Sequence, residues 1–133
     1  MIIKISPDKE KAKSMMRLAE NRINFIRSIT DPEFATIIAE NYYEIIKELA
    51  SAILLLDGFK AIGEFAHKEL FEKLSEYNEI EGFEINLMND LRIKRNKSCY
   101  EGKKIEYSYI ENKSKDLKKI IKKLKEMLNK KMK

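Results

Sequence analysis

The chain contains no tryptophan, valine or glutamine, one cysteine, one histidine, two prolines and four glycines. Each scarcity excludes something. A lone Cys99 cannot close an internal disulfide, which rules out a disulfide scaffold and fits a reducing cytoplasm. With one cysteine and one histidine, His67, the chain lacks the nitrogen and sulfur ligands of a zinc site. The glycines are scattered, so there is neither a phosphate-binding P-loop nor a dinucleotide fingerprint, and any nucleotide must be held by side chains. No cofactor is implied. No apolar run approaches the roughly 20 residues that span a bilayer. The densest stretch, Ala52 to Leu56, stops at Asp57, and Met1-Ile2-Ile3-Lys4 is too short for the apolar segment of a signal peptide. The expectation is a cytoplasmic protein without a membrane role.

What is abundant is charge, at 37% of residues, and it is uneven. Lys113 to Lys133 holds ten lysines against Asp116 and Glu126, an excess of eight, so the remainder of a chain of net charge +5 is mildly acidic at −3. A basic face of this kind attracts nucleic acid or an acidic partner; a solvated terminal helix has the same composition. Abundant lysine and glutamate fit a thermophile-like composition, and equally a codon bias.

At 133 residues the chain is long enough for one domain with its own core. Ser6-Pro7-Asp8 reads as a helix N-cap, a proline at the first helical position and an acid in the first turn. The helix that follows carries Ala12, Met16, Ala19, Ile23 and Ile26 on one face and should end near Ile29. Asp31-Pro32-Glu33 repeats the signal for a second helix presenting Phe34, Ile38, Tyr42, Ile45, Leu49 and Leu56, stopped near Asp57 by Gly58. A shorter third helix is expected over Ala66 to Tyr77 and a fourth over Ile85 to Cys99. Ile105 to Ile110 alternates like a strand, but one strand alone can neither bury a face nor pair its edge, so it reads as a loop or the start of the last helix. Leu117, Ile121, Leu124 and Leu128 then form the seam of a Lys-rich last helix over about 113–131. The prediction is an all-α fold, a single antiparallel up-and-down bundle of four long helices and one short one.

One segment breaks this patterning. Met88, Leu91 and Arg95 share a helical face, so an apolar stripe runs into a guanidinium, which must be paired, lie at an interface or serve a ligand. Arg92, Asn96 and Tyr100 follow one another at intervals of four beside it, just before Gly102 can stop the helix. Such a constellation suits phosphate or RNA, and it equally suits a polar cluster that fixes a core. Tyr43, with Tyr42, is expected to pack, with stacking on a base as the other reading. Glu40 and Glu44 lie four apart but lack the Glu-x-x-His pairs of a di-iron bundle, and nearby Lys47 favours a solvated face. His67 stands among ordinary surface residues, where a structural or solvent role is expected, with a supporting role near the cleft as the other reading if the third helix folds back towards the motif. Cys99 lies four after Arg95, where a guanidinium can lower a thiol's pKa, but nothing pairs with it as a nucleophile.

With these residues in place the chain resembles the HEPN superfamily (higher eukaryotes and prokaryotes nucleotide-binding), in particular its small prokaryotic members. Glu40-Asn41-Tyr42-Tyr43-Glu44 is similar to the family's paired-aromatic segment, and Leu54 to Lys60 to the glycine-closed apolar run. Leu91 to Gly102 resembles the signature at the end of the fourth helix. In members that cut RNA this signature is an arginine, a polar residue and, several positions on, a histidine. Resemblance places Arg95 and Asn96 on the first two positions and Tyr100 where the histidine stands. Metal-independent cleavage needs a base for the 2′-hydroxyl proton and an acid for the leaving oxygen; a phenol with an ordinary pKa of about 10 is a poor base at neutral pH.

The resemblance therefore implies a nucleotide- or RNA-binding site lined by Arg92, Arg95, Asn96 and Tyr100, with Tyr43 and Glu44 also binding the ligand. Catalysis would fall to Arg95 and Tyr100. It also implies a homodimer that joins two such motifs in one cleft, where Glu40, Glu44 or Asp90 would offset four arginines. A small nucleotidyltransferase antitoxin is the partner of some toxin members. Two alternatives stand beside it: a weak ribonuclease, and a non-catalytic helical interaction protein whose basic last helix docks an acidic partner.

Overall fold

The computed structural model describes residues 1–133, and its architecture is an all-α bundle with one small two-stranded sheet. The elements are β1 (Ile2–Lys4), α1 (Lys9–Arg27), a 3-10 turn (Pro32–Phe34), α2 (Ala35–Leu56), β2 (Phe59–Ala61), α3 (Ala66–Leu74), α4 (Gly82–Glu101) and α5 (Tyr107–Lys131). No helix is long and apolar enough to cross a membrane.

Helix α2 is the axis of the molecule. Its apolar residues occupy nearly the full circumference, and 14 of its 22 residues are buried. A helix apolar on most sides must be surrounded, and α1, α3, α4 and α5 all pack on it. Cross-helix contacts give the directions. Glu40 meets Cys99 and Glu44 meets Arg95, so α2 and α4 are antiparallel. Glu84 meets Lys123 and Asp90 meets Tyr109, so α4 and α5 are antiparallel. Thr36 binds the backbone at Ile105 and Asp57 binds Lys131, so α5 runs parallel to α2. The long helices α2, α4 and α5 thus alternate in direction, and the short α3 stands outside that alternation. Helix α5 nevertheless lies along α2 and does not pack closely on α1 or α4.

Several boundaries differ from the sequence reading. Asp8, not Ser6, caps α1, its side chain accepting from Lys11 N at 3.0 Å, and the helix ends at Arg27, short of Ile29. Pro32 opens a 3-10 turn capped by Asp31, and Phe34, expected inward, is exposed because it sits in that turn. Helix α3 stops at Leu74, three residues before Tyr77. Helix α4 begins at Gly82, three before Ile85, because Glu81 and Glu84 form a reciprocal capping box. Helix α5 begins at Tyr107, well before 113, so most of the alternating segment is helix and only Ile105 is an extended, buried plug.

The sheet was not foreseen. β1 pairs antiparallel with β2 in the register Ile2↔Ala61, Ile3↔Lys60, Lys4↔Phe59. The N-terminal ammonium meets the Glu69 carboxylate and the Ile62 carbonyl. Gly58 makes the pairing possible. It has a φ of +84°, which ends α2, and a Cβ there would lie 3.1 Å from the Ile5 carbonyl oxygen. Gly58→Ala is expected to cost about 1–3 kcal/mol through left-handed backbone and this contact; the shift of the urea unfolding midpoint measures it.

Candidate functional site

The polar residues of α2 lie on one stripe, Glu40, Asn41, Glu44, Lys47 and Glu48, facing the seam between α1 and α4. Because α2 is otherwise enclosed, these groups must find partners. From α1, Arg22 donates to Glu48 Oε1 at 3.0 Å and to Asn41 Oδ1 at 3.3 Å. From α4, Arg95 donates to Glu44 Oε1 at 3.3 Å and to the neighbouring Asn96 Oδ1 at 3.4 Å. Lys47 holds the other oxygen of Glu44 at 2.6 Å. Lys47 is therefore part of the cluster and not the mark of a solvated face.

Tyr43 forms the floor. It is fully buried, so the expected alternative of stacking on a base does not hold, and packing is right for both Tyr42 and Tyr43. The Arg95 guanidinium lies over the Tyr43 ring, 5.2 Å from its centroid. Burial raises the Tyr43 pKa well above the ordinary 10.0, despite the opposing Arg95 charge, so the hydroxyl keeps its proton. That hydroxyl lies 2.8 Å from His67 Nδ1. That contact leaves Nε2 as the ring nitrogen of His67 not engaged by the tyrosine.

His67 is thus not a plain surface residue. Helix α3 folds back and brings it, partly buried, against the tyrosine that carries Arg95. Burial, then the charges of Lys47 and Arg95, lower its pKa below the ordinary 6.5. For Glu44, burial acts upward, but the Lys47 hydrogen bond and the charges of Lys47, Arg95 and Arg22 outweigh it, and the carboxyl lies below its ordinary value. Glu48 goes the other way: burial dominates over Arg22, its pKa is raised, and its Oε2 has no partner. Burial opposes the Arg95 charge, yet Cys99, Glu44, Tyr43 and Tyr100 around it raise its pKa further.

Arg92, Asn96 and Tyr100 lie on the outer flank of α4. Arg92 uses only Nε, to Asn89 Oδ1 at 3.2 Å. Ile93, Asn96 and Tyr100 make one stripe; Ile93 is 46% and Tyr100 77% exposed. Gly102, with a φ of +68°, caps α4 immediately beyond. Cys99 contacts Glu40 Oε2 at 3.5 Å, and burial together with that hydrogen bond raises its pKa against the pull of Arg95. The thiol is not activated.

Sequence reasoning missed two contributors, Arg22 and Glu48, which carried a signal in a charge at a core position of each helix; His67 meets the cluster because α3 folds back. A basic hollow of about 480 Å³ was missed as well. It wraps the far side of the α4 terminus, with Lys94, Lys97, Lys103 and Lys104 around Ser108, Tyr109 and Asn112. The three main cavities do not include Arg92, Arg95, Asn96 or Tyr100. No group of three or more His, Cys, Asp or Glu side chains is placed to hold a metal. Set against known proteins, the chain matches no family model, no curated protein and no solved structure.

His67 is the only histidine, so its proton NMR titration is unambiguous. The expected midpoint lies below 6.5 and moves upward in Arg95→Gln, which deletes one of the opposing charges. For a depressed histidine the stability contribution is complete above 6.5 and is lost as pH falls from there through the folded-state value. Arg22→Met, which leaves the Glu48 carboxylate without its partner, should cost about 1–3 kcal/mol in chemical denaturation.

Proposed function

We propose that this protein is a nucleotide- or RNA-binding bundle of the HEPN kind, in which Arg92 and Arg95 hold phosphate and Asn96 and Tyr100 form the rim. The observation that carries the reading is the partial use of the Arg95 guanidinium. It makes two hydrogen bonds, at 3.3 and 3.4 Å, both longer than the roughly 2.7–2.9 Å of a strong charge-assisted contact. Its carboxylate partner Glu44 is held more tightly by Lys47, at 2.6 Å. An arriving phosphate can take Arg95 while Lys47 keeps Glu44 neutralised. Arg92 has still more donors unused. On the far side of the α4 terminus, Lys94 and Lys97 of the helix and Lys103 and Lys104 beyond it add positive charge of the kind a backbone-tracking RNA site uses.

The stripe of exposed Ile93 and Tyr100 with half-buried Asn96 between them suits burial against a second copy, which would form the shared cleft of a homodimer. A small nucleotidyltransferase remains the partner that the resemblance implies. A second reading, metal-independent RNA cleavage, is favoured by His67. With Nδ1 held by Tyr43, its Nε2 is the better proton carrier than the exposed Tyr100 phenol.

Arg95→Ala should weaken binding of a labelled single-stranded RNA at least tenfold in fluorescence anisotropy while the circular dichroism melt persists. Equal affinity in that variant rejects the phosphate role. Lys103→Glu with Lys104→Glu should reduce the salt dependence of the same binding curve. If the protein cuts RNA in EDTA, His67→Ala should abolish cutting and Tyr100→Phe should not. Ile93→Lys should shift the sedimentation coefficient from dimer to monomer.

A further inference from the structure

A groove on the opposite flank, unrelated to the arginine site, has its own chemistry. Helices α1 and α5 both pack on α2 but barely on each other, so the side where a square bundle would close stays open. The opening has a volume of about 780 Å³. Its floor is apolar: Ile23, Ile26, Ile38, Tyr42, Ile110 and Ile121, which keep slight exposure where most of the core has none. Along α5 its lining runs from Tyr107 to Asn129, roughly 33 Å at about 1.5 Å per residue. That is the length of a long helix, not of a compact metabolite.

The rim has one dominant charge. Arg27, Lys118, Lys122 and Lys125 edge the groove against the single acid Glu126. The lysines of α5 differ in their partners. Lys123 and Lys131 are tied to Glu84 and Asp57. Lys118 and Lys122 make no ion pair within the chain, and Lys125 reaches across the groove to Glu20 at 3.3 Å. Two unpaired lysines of the last helix, with Arg27 from α1, therefore edge the groove where the core is still partly open.

We infer that this groove is a docking site for an acidic amphipathic helix of a partner protein. Its apolar face would cover the isoleucine floor between α1 and α5, and its carboxylates would meet Lys118, Lys122 and Arg27. An apolar trough with a cationic edge selects this occupant over a basic or uniformly polar one. A basic helix would meet like charge at the rim, and a polar one would leave the floor uncovered without compensation.

The test uses the full-length protein and two fluorescein-labelled helical peptides of about 18 residues, each with leucines at i, i+3, i+4 and i+7. One carries glutamates on its polar face and the other lysines. The glutamate peptide should bind in anisotropy titrations, at least tenfold tighter than the lysine peptide. The double variant Lys118→Glu/Lys122→Glu should reverse that preference, while Arg95→Ala leaves it unchanged. Because Lys118 and Lys122 are not needed for any internal ion pair, the double variant should keep the parent's circular dichroism melt. Equal binding of both peptides, no binding of the glutamate peptide, or no effect of the double variant overturns the proposal. Displacement of the glutamate peptide by palmitate micromolar for micromolar would also overturn it, assigning the groove to a fatty acyl chain.

Discussion

Burial of α2 on nearly every side constrains everything else. An almost wholly apolar helix of 22 residues supplies most of the core and forces four other helices to gather around it. Its few polar residues then become the most demanding part of the structure, since each must be paired within a narrow seam. Arg22 answers Glu48 from α1, and Arg95 answers Glu44 from α4. The orphaned Glu48 Oε2 marks where the pairing is incomplete.

That seam makes structure and chemistry inseparable. The same Glu44 that keeps Arg95 from being a lone charge also competes with any anion for it, and Lys47 relieves the competition by holding the carboxylate from the other side. Tyr43 contributes in a similar double capacity: its ring carries the guanidinium, and its hydroxyl fixes His67. Single-residue substitutions here act through neighbours, so binding and stability measured together separate the two roles better than either alone.

Central placement of α2 also explains the groove. A helix that must be covered by four partners draws α5 onto itself, away from α1, and the flank between those two remains partly uncovered. The molecule therefore presents two faces of positive charge with different characters. One is hydrogen-bonding and shallow, around the end of α4; the other is apolar with a charged edge, along α5.

Sequence alone determined the helical class, the apolar faces of α1, α2 and α5, the stop at Gly102 and the anomaly at Arg95, because helix periodicity and glycine conformation are local properties. It misplaced the first cap by two residues and the start of α5 by six, where Asp8 competes with Ser6 and where Ile105, not the whole alternating segment, turns inward. What only the tertiary structure decided involves partners distant in the chain. The β1–β2 pair joins residues nearly sixty apart, too short on each side to leave a pattern. His67 has two readings until α3 returns to α2 and sets it against Tyr43, and Glu44 becomes the partner of Arg95 only once α4 lies antiparallel beside it. Local spacing records which face of a helix is apolar; it does not record which other helix that face will meet, and the site is made of such meetings.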